Sequence, residues 1–300
     1  CGAMTDSAAS LTISSNRLDV RVLTFGSALG ALHFDGGPNL LVPPCGQPGS
    51  PGDTPFIGPV VAPVANRLTV PLDVNGRDLP ITPIRPGGFV LHSGDGGTHE
   101  RDWQVMEHSG DAVTLAIDLP DGLGGFPGNR RVTLDWRVAG AELRLDITAT
   151  TDAPTLMNIA HHPFWALNGT GREGQVFTSP APRYTPITPE ILPTGEIADV
   201  AGTDYDFRTP RTPAPTLDGN LCLSDAPTDT PRLIATLAAE DGPTLDILST
   251  SPGLQIFTGK PYGIALEPQL WPNAPAHPAF PSIRLDPGKT FRQATVYRFS

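Results

Sequence analysis

The sequence predicts an all-β protein, a large antiparallel β-sandwich, on three observations. Proline (35) and glycine (32) together exceed a fifth of the 300 residues. Interior proline costs a helix about 3 kcal/mol, whereas turns, bulges and edge strands accept it. Short runs alternate apolar and polar residues with period two, which buries one face of a strand and leaves the other wet. No stretch of ten or more residues carries a convincing 3.6-residue period. The hydrophobic share is a modest 39%, yet a chain of this length can still bury a sizeable core.

The elements follow in order. Asp19–Phe25 is short and rich in branched residues. Residues 112–118 and 131–137 alternate, as do 142–148 and 244–249. Turn signals separate these runs at Asp121-Gly122, Pro127-Gly128-Asn129, Ala139-Gly140, Pro252-Gly253 and Asp286-Pro287-Gly288. The proline-rich stretch Thr209–Pro215 reads as a loop. Many strands spaced by short turns form a sandwich or barrel, and no linker divides 10–300, so these residues read as a single domain. Residues 1–9 read as a disordered remnant with Met4 as the natural start. A lipoprotein beginning at Cys1 is the alternative.

Charge and cysteine content exclude several partners. With 20 basic and 31 acidic residues the net charge is −11, so the basic face that nucleic acid requires is missing. Only Lys260 and Lys289 are lysines, and the acidity reads as a solubility feature. No run approaches a membrane span and the start is unlike a signal peptide. Cys1, Cys45 and Cys222 are too few for a disulfide framework, so reduced thiols in the cytoplasm are expected. A monomer is the default.

Four segments carry polar residues that folding alone does not obviously need: 64–68, 91–94 with Gly97 and Trp103, 158–168, and 263–272. His161 and His162 are adjacent, so on a strand they point to opposite faces and cannot chelate together. Pro163 and Pro268 hold His162 and Glu267 extended. A carboxylate set in the run Ala265-Leu266-Glu267-Pro268 needs partners if buried, or its pKa rises. Glutamate and histidine meeting in one cleft make an acid/base pair near neutral pH; pairing of Glu267 with an arginine such as Arg67 is the structural alternative. There is no G-x-S-x-G elbow, P-loop lysine motif or dinucleotide motif in a βαβ setting. His92, His99 and Glu100 lack the close histidine pair of a metal-binding jelly roll, so no metal is expected.

Together these segments resemble the aldose 1-epimerase family, the galactose mutarotases. Asn66-Arg67 is similar to the family's Asn-Arg, and Leu91-His92-Ser93-Gly94 to its Leu-His-Gly-Gly. Residues 160–167 resemble Thr-Asn-His-Ser-Tyr-Phe-Asn-Leu, and 217–223 resemble Asp-His-x-Phe-x-Leu. Leu266-Glu267-Pro268-Gln269 matches Leu-Glu-Pro-Gln, and Phe280-Pro281-Ser282 and 285–288 resemble the closing Phe-Pro-Ser and Leu-x-Pro-Gly. The resemblance runs over residues 10–300, each motif weak alone and their order and spacing strong.

The resemblance implies a galactose mutarotase-like sandwich that interconverts the anomers of a free aldose without cofactor or metal. It implies catalytic roles for Glu267 as base on the C1 hydroxyl, His162 as acid on the ring oxygen, and His92 beside that oxygen. Arg67, Asp218 and Asn66 would hold sugar hydroxyls. Gln269, two residues from Glu267 on one strand face, is added here. Trp165, Trp271, Phe257 and Tyr262 are candidate platforms for the sugar ring, Trp165 first among them. His161, Pro163, Ala166, Ser93 and Thr98 depart from the family pattern beside the site, which leaves the particular sugar open. Two alternatives remain at this point: an epimerase for a phosphorylated or otherwise anionic sugar, and a non-catalytic carbohydrate-binding or sugar-sensing protein.

Overall fold

The computed structural model describes residues 9–74, 76–84, 88–169 and 171–300; the expected N-terminal remnant lies outside them except for Ala9. Nearly all regular structure is β, and the only helical turns among the described residues are three short 3-10 segments. An eight-stranded antiparallel sheet contains all the alternating runs from 112 onward, among them the long hairpin Arg130–Ala139 with Glu142–Thr151. Val132, Leu134, Trp136 and Val138 on one strand and Leu143, Leu145, Ile147 and Ala149 on the other are buried. The polar residues between them face outward, as the period-two pattern requires. Gly140 takes φ +56° where this hairpin reverses, a backbone angle that costs glycine nothing.

A second antiparallel sheet of six strands carries the site. Its centre is Asp218–Cys222, Gly253–Phe257 and Ile264–Gln269, in the order 218–222, 253–257, 264–269 from one neighbour to the next. Ile264, Leu266, Leu254, Ile256 and Leu221 belong to the main core cluster with the inward face of the eight-stranded sheet. Alternation then sends Asp218, Gln255, Phe257 and Glu267 to the opposite face. That face is covered by irregular chain rather than water, which is why Ile264–Gln269 is buried at every position. A strand covered on both sides shows no alternation, and these strands had no periodic signal in the sequence.

The irregular cover comes largely from 43–66, the segment densest in proline and glycine. Its end is sewn to the histidine segment: Gly58 N donates to His162 O (2.8 Å), His162 N to Pro59 O (2.9 Å), and Val60 and Val61 pair with His161 and Ala160. The loop expected at 209–215 is irregular apart from a single bridge of Arg211 to Phe177. Cys222 is buried and free, but Cys45 is disulfide-bonded, so the expectation that all thiols are reduced fails there. No helix among the described residues is long and apolar enough to cross a membrane.

Candidate active site

Adjacent histidines separate as strand geometry demands. His161 turns into the core, where Nδ1 lies 2.9 Å from Tyr297 Oη and the ring meets Trp136 edge-on. His162 turns the other way, stacks on Phe164 at 5.3 Å, and brings Nε2 to 3.3 Å from Glu267 Oε1. Both partners are almost fully buried, at 6% and 2% exposure. Glu267 and His162 therefore meet, while Arg67 pairs with Asp218 instead of Glu267 (3.2 Å).

A cavity of about 150 Å³ opens onto this pair, well under the roughly 300–1,000 Å³ of drug-sized sites. Glu267, His162, His92, Arg67, Asn66 and Asp218 all line it. A larger groove of about 720 Å³ along 282–285 and 289–294 contains none of the predicted site residues.

Two predicted residues fall outside the cavity. Trp165 follows Phe164 on a two-residue strand, so Phe164 faces the cavity and Trp165 packs in the core against Tyr297 (5.2 Å) and Phe299 (6.1 Å). Gln269 keeps to Glu267's face by alternation but lies further along the strand, opposite Gly253 and fully buried. Of the other candidate platforms Phe257 lines the cavity and Trp271 and Tyr262 do not. Thr54, Phe56, Gln255 and Lys260 line it without having been foreseen. Gln255 had the same signal as Glu267, a polar residue inside the apolar run 253–257. Phe56 had none, because 43–59 has no period.

Left-handed backbone positions place the wall opposite the sheet. Asn66, His92 and Ser93 have φ of +63°, +49° and +65°, conformations that non-glycine residues hold only where the surroundings enforce them. The enforcing bonds join the two motifs: His92 N donates to Asn66 O (2.8 Å), and Asn66 N donates to His92 Nδ1 (3.1 Å). With Nδ1 accepting, neutral His92 carries its proton on Nε2. Ser93, where the family motif has glycine, spans Val64 with Oγ, accepting from its N and donating to its O at 2.9 Å each. Thr98 spans the chain two residues earlier, accepting from Ala62 N (3.0 Å) and donating to Val60 O (2.7 Å). Both departures from the family pattern thus fasten the strap that carries Asn66 and Arg67.

Electrostatics follow from burial. Asp218 is held through both oxygens, with Oδ1 accepting from Gln255 Nε2 (2.6 Å) and Oδ2 from Arg67 (3.2 Å). Desolvation still raises its pKa, opposed by these two donors. Desolvation pushes the Glu267 carboxyl well above its usual range, Asp218 adds to the rise, and Arg67 opposes it. His162 is pushed down to about 4, chiefly by burial, and His92 well below its usual value, by burial and then by His162. Burial disfavours an ion pair between Glu267 and His162, raising the carboxyl and lowering the imidazole. Glu267 Oε2 has no protein partner among the described residues, and a hydroxyl donated to it favours the carboxylate. The arrangement can thus remove one proton and deliver another within a single small ring.

The family model for Aldose 1-epimerase matches residues 9–298. The chain belongs to the aldose 1-epimerase family. Among its relatives, a galactose mutarotase of Rattus norvegicus is 31% identical over 277 residues, covering 82% of this chain and 79% of the relative. An aldose 1-epimerase of Escherichia coli (strain K12) is 28% identical over 278 residues, covering 81% and 80%. The fold is similar to the crystal structure of an aldose epimerase homologue from C. elegans, with TM-score 0.89 at 24% identity over 98% of this chain and 99% of that one. It is also similar to galactose 1-epimerase from Lactobacillus acidophilus NCFM, with TM-score 0.85 at 22% identity over 99% and 96%. This aldose 1-epimerase is an isomerase with the galactose mutarotase-like β-sandwich.

Proposed function

We propose that Glu267 and His162 carry out anomer interconversion in this aldose 1-epimerase as base and acid, one at the C1 hydroxyl and the other at the adjacent ring oxygen of a pyranose. The observation that carries the reading is their 3.3 Å approach at the buried end of a monosaccharide-sized cavity. The C1 hydroxyl gives its proton to Glu267 Oε2 while His162 Nε2 protonates the ring oxygen. The C1–O5 bond breaks as C1=O forms, and the open aldehyde results. Rotation about C1–C2 presents the other carbonyl face. The O5 hydroxyl then returns its proton to His162 and attacks C1, and Glu267 protonates the new C1 oxygen. Atoms and protons balance over the cycle, and each group contributes about 10²–10⁴-fold.

The neighbours have distinct tasks. His92, neutral with Nε2–H, donates toward the ring oxygen without competing for the His162 proton. Asp218, held by Arg67 and Gln255, accepts a sugar hydroxyl, and Arg67 donates to one. Phe56 closes the site over the histidines, with its ring centroid 4.4 Å from His92 and 6.5 Å from His162. Excluding water there strengthens each charge the reaction creates. The relatives' names make galactose the first sugar to try, with other free aldoses beside it. Polarimetry on freshly dissolved α-D-glucose, α-D-galactose and a pentose is the test. Acceleration of at least one is expected, and acceleration of none across a wide panel leaves a carbohydrate-binding protein.

A further inference from the structure

One end of the cavity is closed by a clasp that the reaction itself does not use. Lys260 Nζ lies 2.6 Å from Asp53 Oδ2, and Tyr262 Oη donates to Asp53 Oδ1 at 2.9 Å. Asp53 precedes Thr54 and Phe56 on the irregular cover, while Lys260 and Tyr262 lie in the turn between Gly253–Phe257 and Ile264–Gln269. Tyr262 also packs on Phe164 at 5.6 Å, the ring against which His162 stacks. Arg67 and Lys260 are the cations that line the cavity. Each already has an acidic partner, Asp218 for one and Asp53 for the other.

Strand register fixes which part of a sugar meets the clasp. Glu267 pairs with Gln255 and Ala265 with Phe257, so the Lys260 turn begins about 7 Å along the strands from the Glu267 row. A ring with C1 at Glu267 directs the edge remote from C1 toward Lys260. We infer that the Asp53–Lys260–Tyr262 clasp is a specificity determinant that admits aldoses with an uncharged distal edge and rejects hexuronates. A carboxylate at that edge meets a lysine already engaged and an aspartate of its own sign, and like-charge opposition is how binding sites exclude wrong ligands. The inference rests on the catalytic reading above. The clasp is a third to two-fifths exposed, where an ion pair contributes little to folding, so its replacement leaves the fold intact.

The test is polarimetric kinetics on two matched pairs, D-glucose with D-glucuronate and D-galactose with D-galacturonate, at neutral pH and about 20 and 200 mM salt. Wild type is expected to favour the neutral member by about tenfold or more in kcat/KM. Asp53→Asn and Asp53→Ser free Lys260, so each should narrow that ratio by about tenfold, through KM for the uronate and less at the higher salt. Adding Lys260→Met to Asp53→Asn should restore the wild-type ratio. A ratio within twofold of wild type in both Asp53 variants overturns the inference alone, as does a wild type that handles uronate and neutral sugar equally. A wild type that accelerates neither neutral hexose overturns this inference, and one that accelerates no sugar of the wider panel overturns the catalytic reading with it.

Discussion

Replacing Glu267 by glutamine separates what this carboxyl does for catalysis from what it does to the fold. The amide fills the same space but cannot take the C1 proton. Loss of one general base is worth about 10²–10⁴-fold in kcat, or about 2.7–5.5 kcal/mol on the barrier. Because the proton transfer exists only in the transition state, kcat and kcat/KM should fall together with KM little changed. Stability moves the other way. Glu267 is fully buried with its pKa raised by desolvation and by Asp218, so the folded state holds its proton more tightly than the unfolded chain. The stabilisation is complete below the unfolded value near 4.5 and is lost as pH rises through the folded pKa. Glutamine never ionises, so Glu267→Gln should melt with wild type near pH 4 and above it at pH 8. Polarimetry and thermal unfolding at the two pH values measure both effects. A variant retaining more than a third of wild-type kcat, or melting below wild type at pH 8, would refute the reasoning.

Other predictions address the remaining roles. His162→Asn should lower kcat by about 10²–10⁴-fold in the same polarimetric assay without unfolding the protein; an unchanged rate would move the acid to another group. Asp218→Asn removes the charge that Arg67 answers, and should raise KM by about tenfold or more with a smaller change in kcat, since a hydrogen bond to a charged group is worth about 1.5–3 kcal/mol. Thr98→Val orphans Ala62 N and Val60 O inside the protein and should cost about 1–3 kcal/mol in urea unfolding; a neutral result would mean the strap is held elsewhere. His161 titrates at about 3 in the fold, pushed down by burial and then by His162. The unfolded chain therefore binds its proton first, and stability falls as pH drops from about 6.5 toward 3, by up to roughly 5 kcal/mol. His161→Gln should flatten that acid limb, and an unaltered slope in pH-dependent unfolding would contradict it.

Proline and glycine density, period-two runs and turn dipeptides sufficed for the all-β class, because helices cannot tolerate that composition and a half-buried strand must alternate. Glu267 and His162 stood out for the same physical reason: an ionisable side chain inside an apolar run, extended by a following proline, has to be used or satisfied. Adjacency alone sent His161 and His162 to opposite faces. The same parity rule, applied to Phe164 and Trp165, could have excluded Trp165 from the site. It was the tertiary structure that decided the rest. Gln269 shares the correct face, yet a common face does not set how far along the strand a cavity extends. Arg67 pairs with Asp218 rather than Glu267, a contact between residues 151 positions apart that no local pattern could announce. The 43–59 segment, with no period to read, turned out to supply Phe56 and the Asp53 clasp. Its conformation is imposed by what it covers, and a chain shaped by its neighbours leaves no local pattern of its own.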